Sequence, residues 1–243
     1  RFVDEIAGVG RTTICIGTGN EGTGAGHVSG GLENGETDRI EFAVQQRQNA
    51  FSIQIWKRYE DEVNVFIRLP SGEVIGPIDE RLGTQRLQAG STEILLYYGE
   101  PSPYSVLQEI YLDFLPHNTF VTEGIWEIWL SAEKIVVGAY EMWMPSERAL
   151  NRGTGFLFPT ENLTFTIPST AERVITVGAY DALTGTYAPF SGRGELLPRG
   201  AVKPDLVAPG VGIVTTGLNG GTTRVSGTSF ATPFVTGSAA LLM

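Results

Sequence analysis

Between residues 36 and 144 apolar and polar positions alternate in short runs. Phe51, Ile53 and Ile55 fall on one side of an extended chain, with Ser52, Gln54 and Trp56 on the other. Val63, Val65, Ile67 and Leu69 alternate in the same way with Glu62, Asn64, Phe66 and Arg68. A period of two sends successive side chains to opposite faces of a sheet, so these runs predict half-buried strands. Residues 36–46, 51–57, 62–69, 94–98, 106–115, 124–131 and 134–144 all qualify. Turns such as Pro70-Ser71-Gly72-Glu73 and Glu100-Pro101-Ser102-Pro103 separate them. Many short strands divided by polar turns, with almost no helical periodicity, predict an antiparallel sandwich. A jelly roll of about eight strands accounts for the number.

The flanks have a different rhythm. Residues 1–10 read as the tail of a helix closed by glycine, and residues 11–18 as an apolar strand. A helix followed at once by such a strand is the pattern of a parallel α/β sheet, in which earlier strands are expected, so the chain reads as starting inside a domain. Residues 230–243 are rich in Ala, Leu, Val and Phe and predict a helix that is still apolar, without a stop signal, at Leu241-Leu242-Met243. Gly237, Ser238, Ala239 and Ala240 are small enough for that helix to pack closely inside the protein.

Composition narrows the function. With 243 residues, 42% of them hydrophobic, the chain holds one large domain or two ordinary ones. A formal net charge of −10 argues against nucleic acid as a partner, since phosphate binding relies on clustered Lys and Arg. No apolar run reaches the roughly 18 residues of a membrane-spanning helix. The single cysteine, Cys15, sits in an apolar strand pattern and reads as a buried thiol. Neither a His-Glu-x-x-His motif nor paired cysteines occur, so no metal or cofactor site is expected.

One stretch carries chemistry. In Val225-Ser226-Gly227-Thr228-Ser229-Phe230-Ala231-Thr232-Pro233 a glycine-flanked turn delivers Ser229 to the start of the predicted helix, with Pro233 placed in its first turn. A hydroxyl there lies among unpaired backbone N–H groups and at the positive end of the helix dipole, where negative charge developing on a substrate oxygen is stabilised. An ordinary capped core helix is the alternative reading.

The segment Gly227 to Pro233 resembles the serine block of the subtilisin-like serine proteases, and Lys203-Pro204-Asp205-Leu206-Val207-Ala208-Pro209-Gly210 is similar to the segment that precedes it in that family. Gly19-Asn20-Glu21-Gly22 resembles the family's oxyanion-hole asparagine motif, and Val174-Ile175-Thr176-Val177-Gly178-Ala179 the buried strand that follows it. The resemblance implies an α/β fold, part of a subtilisin-like parallel-sheet domain, in segments 1–24 and 161–243. It makes residues 25–160 an inserted jelly-roll sandwich. It further implies that Ser229 is the nucleophile, that Asn20 helps to bind the oxyanion, and that Thr18 and Gly19 border the pocket for the side chain before the scissile bond. A cis bond at Ile167-Pro168 is expected on the same ground. The insertion is most similar to that of the clostridial spore-germination proteases, which points to a bacterial, secreted or spore-associated protein with a protein or peptide substrate.

The family's order is aspartate, histidine, serine, and neither of the first two motifs is present. His117 reads as a solvated loop residue in Pro116-His117-Asn118. Gly26-His27-Val28-Ser29-Gly30 resembles part of the histidine motif but follows Asn20 and lacks the preceding His-Gly-Thr. Asp205 is better explained by turn packing than as the orienting acid. The chain is therefore expected to be a fragment, inactive alone, of a serine endopeptidase, to which the family would add a structural calcium elsewhere. Two alternatives stand beside it: a catalytically silent relative serving as a scaffold or sensor, and a sandwich that binds carbohydrate or peptide through Tyr97, Tyr98, Trp126, Trp129, Tyr140 and Trp143.

Overall fold

The computed structural model describes residues 2–8, 12–81, 83–194 and 202–243. Arg1, Gly10 and Arg11, which bound the first predicted helix and strand, lie outside them. The chain divides into two compact units: Ala25–Thr160, and Arg1–Gly24 together with Glu161–Met243.

The unit Ala25–Thr160 contains no helix among its described residues. Its strands form two antiparallel sheets. One has the order Gly155–Phe156, Thr37–Val44, Gly124–Lys134, Glu62–Arg68, Val74–Ile78. The other runs His27–Gly31, Ala139–Trp143, Phe51–Arg58, Leu107–Pro116, Thr92–Tyr98, Gln85–Ala89. The predicted alternation holds, with Phe51, Ile53, Ile55, Val65 and Ile67 buried. Phe42 and Trp126 of the first sheet meet Phe114 of the second, with ring centroids 5.7 and 5.6 Å from it, so one core lies between the two sheets. Each such fully buried side chain contributes about 1.5–3 kcal/mol of transfer free energy. The Trp126 indole N–H donates to the Thr122 carbonyl at 2.9 Å, which removes the cost of burying it.

Among the described residues of this unit eleven strands stand where about eight were expected, and residues 134–144 are not one strand. The chain turns between Gly124–Lys134 and Ala139–Trp143. Asp61, 1% exposed, organises that turn: its carboxylate accepts the backbone N–H groups of Val136, Val137 and Gly138 at 2.7, 2.9 and 3.0 Å. A polar residue 75 positions away in sequence thus replaces the ladder bonds that the turn gives up.

The other unit is mixed α/β. Cys15–Gly17 and Leu206–Pro209 flank Ile175–Asp181, both parallel to it, and Thr186–Tyr187 folds back on it antiparallel. A hairpin, Ile213–Thr216 with Thr222–Val225, precedes the helix Thr228–Leu242. Val177, Ala179, Ala188, Ala208, Ala231 and Val235 make the core. Small residues dominate it because helix and sheet approach closely. A Cβ on Gly17 would stand 2.9 Å from the Thr228 hydroxyl and 3.0 Å from that of Thr232, so glycine is what lets this strand lie against the helix's first turn.

Two details of the helix depart from expectation. Pro233 is its sixth residue and so falls in the second turn, where the missing N–H leaves the Ser229 carbonyl without its usual partner. The small residues Gly237, Ser238 and Ala240 are exposed, because the described sheet covers only the stripe of Thr228, Ala231 and Val235. Lys203-Pro204 and Ile167-Pro168 are cis, the latter as the resemblance implied.

Candidate active site

Asn20 and Ser229 are brought together from opposite ends of the chain by the strand Cys15–Gly17 and the helix Thr228–Leu242. Gly227 makes the turn between hairpin and helix with φ +151°, a region that L side chains rarely adopt. Its N–H donates to the Gly210 carbonyl at 2.9 Å, and a Cβ on it would lie 3.3 Å from the Asn20 amide nitrogen. The block that ends at Gly210 therefore anchors the turn that presents the serine.

At the helix N-terminus the first N–H groups are accounted for one by one. Phe230 and Ala231 turn back to the Gly227 carbonyl at 3.0 and 3.4 Å. Thr228 donates both its N–H and its hydroxyl to Asn20 Oδ1, at 3.0 and 3.2 Å. Two donors on one amide atom identify it as the oxygen, so the Asn20 NH₂ is the end left to bind something else. Among the described residues neither that NH₂ nor the Ser229 N–H has an acceptor. Ser229 itself is exposed. It opens on a cleft of about 580 Å³ lined also by Cys15, Gly17, Thr232, Pro233 and Thr236. Thr228, which sets the amide's orientation, is a residue that the sequence reading did not single out. Its position directly before the serine was the available signal.

The remaining candidates are placed elsewhere or otherwise engaged. Thr18 is fully buried, its hydroxyl turned to Ser191 rather than to an open pocket. Gly19 has φ +92° and a Cβ there would run into Thr166. Asp205 accepts from the Thr176 N–H and from the buried Lys203 ammonium, both at 2.6 Å, and Lys203 also reaches the Val174 carbonyl at 2.7 Å. It braces two neighbouring strands. Cys15 is half-buried.

His27 belongs to the sandwich. Buried at 2% exposure, it directs Nε2 to Glu141 at 2.7 Å and Nδ1 to the Thr160 carbonyl at 3.3 Å, and its ring stacks on Trp143 at 4.9 Å. Both nitrogens are committed. His117 is exposed in a bend. Of the six aromatics considered for ligand binding, Tyr98, Trp126 and Tyr140 are core. Trp129 is held between Arg39, 4.5 Å from its ring, and Phe66, and donates to Glu127 at 2.6 Å. Such engagement describes sheet-face packing. Among the described residues no three His, Cys, Asp or Glu side chains are grouped to hold a metal ion, and no helix is long and apolar enough to cross a membrane.

Comparison with known proteins points one way. The model of the subtilase family matches residues 151–243. Proteinase R of Parengyodontium album is 41% identical over 76 residues, which is 31% of this chain and 18% of that protein. The serine protease AprX of Bacillus subtilis is 35% identical over 103 residues, 34% of this chain and 23% of that one. Among solved structures, the CspB protease of Clostridium perfringens superimposes with a TM-score of 0.91 at 32% identity, over 99% of this chain. The chain spans 50% of the CspB chain and a smaller share of the curated relatives, from 8% of the membrane-bound transcription factor site-1 protease of Mus musculus to 23% of AprX.

Proposed function

Because this chain is subtilisin-like, in sequence over residues 151–243 and in fold over nearly its whole length, we propose that it forms part of a serine endopeptidase in which Ser229 is the nucleophile and Asn20 an oxyanion donor. The observation that carries the reading is the pair of bonds from Thr228 to Asn20 Oδ1. They turn the amide so that its NH₂ and the Ser229 N–H are the two donors without acceptors at one helix terminus.

The chemistry runs as follows. Ser229 Oγ attacks the carbonyl carbon of the scissile peptide, its proton passing to a general base. The carbonyl oxygen becomes an oxyanion, to which the Asn20 NH₂ and the Ser229 N–H donate. Collapse expels the amine, protonated by the same base, and leaves an acyl-serine that water hydrolyses. The donors are preorganised by the fold and need no rearrangement when charge develops, which is why such groups are worth about a hundredfold to a thousandfold each. His27 cannot take the proton while both its nitrogens are bonded within the sandwich, so the base and its orienting carboxylate are to be sought outside these residues. Residues 25–160 act as an insertion in the protease domain, and the substrate is a protein or peptide.

The test is covalent labelling of Ser229 by a fluorophosphonate in the full-length protein and in the 243-residue chain. Labelling of the former, mapped to Ser229 and lost in Asn20→Ala, is the expected result. Failure of both to react under conditions that keep them folded would replace the enzyme by a silent scaffold.

A further inference from the structure

Behind Asn20 lies a row of hydroxyls that the reaction itself does not use. Ser191 is fully buried; its Oγ accepts the Ala179 N–H at 2.9 Å and donates to the Tyr187 hydroxyl at 2.9 Å, which in turn donates to the Gly192 carbonyl at 2.6 Å. The Thr18 hydroxyl lies 3.2 Å from Ser191 Oγ and 3.3 Å from the Gly19 carbonyl. Ser191 gives its proton to Tyr187 and receives the Ala179 N–H, and the single Thr18 proton serves either Ser191 Oγ or the Gly19 carbonyl. Burial raises the Tyr187 phenol above its ordinary value, so it keeps its proton through the neutral range.

The row is tied to the Asn20 segment from both sides. Gly192 N–H donates to the Gly19 carbonyl at 3.0 Å, and Gly22 N–H to the Phe190 carbonyl at 2.9 Å. No side chain fits between the two segments, since a Cβ on Gly22 would stand 2.7 Å from the Pro189 carbonyl and one on Gly192 would stand 2.6 Å from that of Thr18. Residues 187–192 thus form a rigid backing plate against which Thr18, Gly19 and Asn20 are pressed.

We infer that Ser191 and Tyr187 are positioning residues of the active site, acting through Thr18 and Gly19 to hold the Asn20 amide in register with the Ser229 N–H. The inference rests on the reading of Asn20 as an oxyanion donor. Oxyanion donors must lie within about 3 Å of a common point, and displacement by about 1 Å from a remote change costs up to a hundredfold in rate. Tyr187→Phe removes one oxygen and keeps the ring, so it loosens the plate without emptying the space.

The experiment uses the full-length protein and a fluorophosphonate probe, whose phosphorus bonds to Ser229 Oγ as fluoride leaves and the serine proton passes to the base. The saturating labelling rate and the half-saturating probe concentration are measured for the unsubstituted protein, Y187F, S191A, N20A and the double variant N20A/Y187F, with the melting temperature of each. Y187F is expected to slow labelling about tenfold at unchanged half-saturation, with a melting temperature that falls but stays above the labelling temperature. In the N20A background the same substitution should have no further effect, because the group it positions is gone. Slowing by Y187F of equal size in both backgrounds, or none in either, would overturn the positioning role while leaving Asn20 in place. If N20A labels as fast as the unsubstituted protein, or if the latter does not label at all, the reading of Asn20 fails and the inference with it. Should S191A not fold, Y187F decides alone.

Discussion

Asn20 Oδ1 accepts two hydrogen bonds from one residue, Thr228, at 3.0 Å from its backbone nitrogen and 3.2 Å from its hydroxyl. The pair converts a rotatable amide into a fixed donor. Asn20→Ala is therefore expected to lower the Ser229 labelling rate about a hundredfold to a thousandfold, and Asn20→Asp to lower it as far, since a carboxylate keeps both bonds to Thr228 but has no N–H to offer. Thr228→Val, which leaves the backbone bond, should cost less than either. Labelling kinetics with melting curves for all three variants check the ranking.

Gly22 has no room for a side chain. A Cβ there would press on the carbonyls of Pro189 and Ser191, which are backbone atoms and cannot turn away. Gly22→Ala is expected to destabilise the unit by about 1–3 kcal/mol, as overpacking does. A denaturant midpoint that fell while Gly221→Ala, at an exposed position with φ −90° and open space around it, left the midpoint nearly unchanged would bear this out.

Asp205 braces strands rather than a catalytic base. Replacing it with alanine leaves the Lys203 ammonium, 5% exposed, with the Val174 carbonyl but without its counter-charge. The expected cost is about 1–3 kcal/mol of stability, moderated because the Asp205 side chain is itself partly in water. The labelling rate of the folded fraction should not change. A rate lost at unchanged melting temperature would instead make Asp205 part of the chemistry.

Acid should loosen the sandwich through Asp61. Burial pushes its carboxyl up, but the three backbone N–H groups of residues 136–138, helped by Lys57, outweigh that and hold it below the ordinary carboxylate value. A group whose folded value is depressed stabilises fully above its unfolded value, about 3.9, and loses that contribution as pH falls through the folded one. Asp61→Asn, whose amide presents an N–H to a donor, is expected to unfold more easily by about 1–3 kcal/mol at pH 7. The gap between the two proteins should close below about pH 4. Urea unfolding across that range measures it.

His27 is a structural residue of the sandwich. Its replacement by alanine removes the bond to Glu141 and the stack on Trp143. A loss of about 1–3 kcal/mol of stability is expected, with Ser229 labelling untouched. Abolished labelling in a protein with an intact melting transition would identify His27 as the base after all.

Among the described residues of the sandwich, the strands that alternation did not reveal are the edges of its two sheets: His27–Gly31, Val74–Ile78, Gln85–Ala89 and Gly155–Phe156. Each has a neighbour on one side only, and none carries the period-two apolar pattern of Phe51–Arg58. His27–Gly31 ends in two glycines, Val74–Ile78 holds a Gly-Pro step, and Gln85–Ala89 is largely polar. Glycine, proline and polar residues at an edge discourage pairing with other chains, and the same choice erases the signal. Central strands such as Phe51–Arg58 bury alternate side chains against the other sheet and so write their position into the sequence.

Local pattern alone determined the two structural classes along this chain, the central strands of the sandwich, and the serine mounted at a helix start, because each follows from which neighbouring side chains must share a face. The short motifs likewise drew attention to Asn20 and Ser229, which the fold brings close although 208 positions separate Asn20 from the Thr228 that holds it. Only the tertiary structure decided how the amide is turned, that Asp61 closes a turn far along the chain, that Ser191 and Tyr187 stand behind Asn20, and that His27 is spent on Glu141. These are hydrogen bonds between segments remote in sequence, made by polar side chains whose patterns carry no period, and they exist only once the packing of apolar faces has brought their partners within about 3 Å of each other.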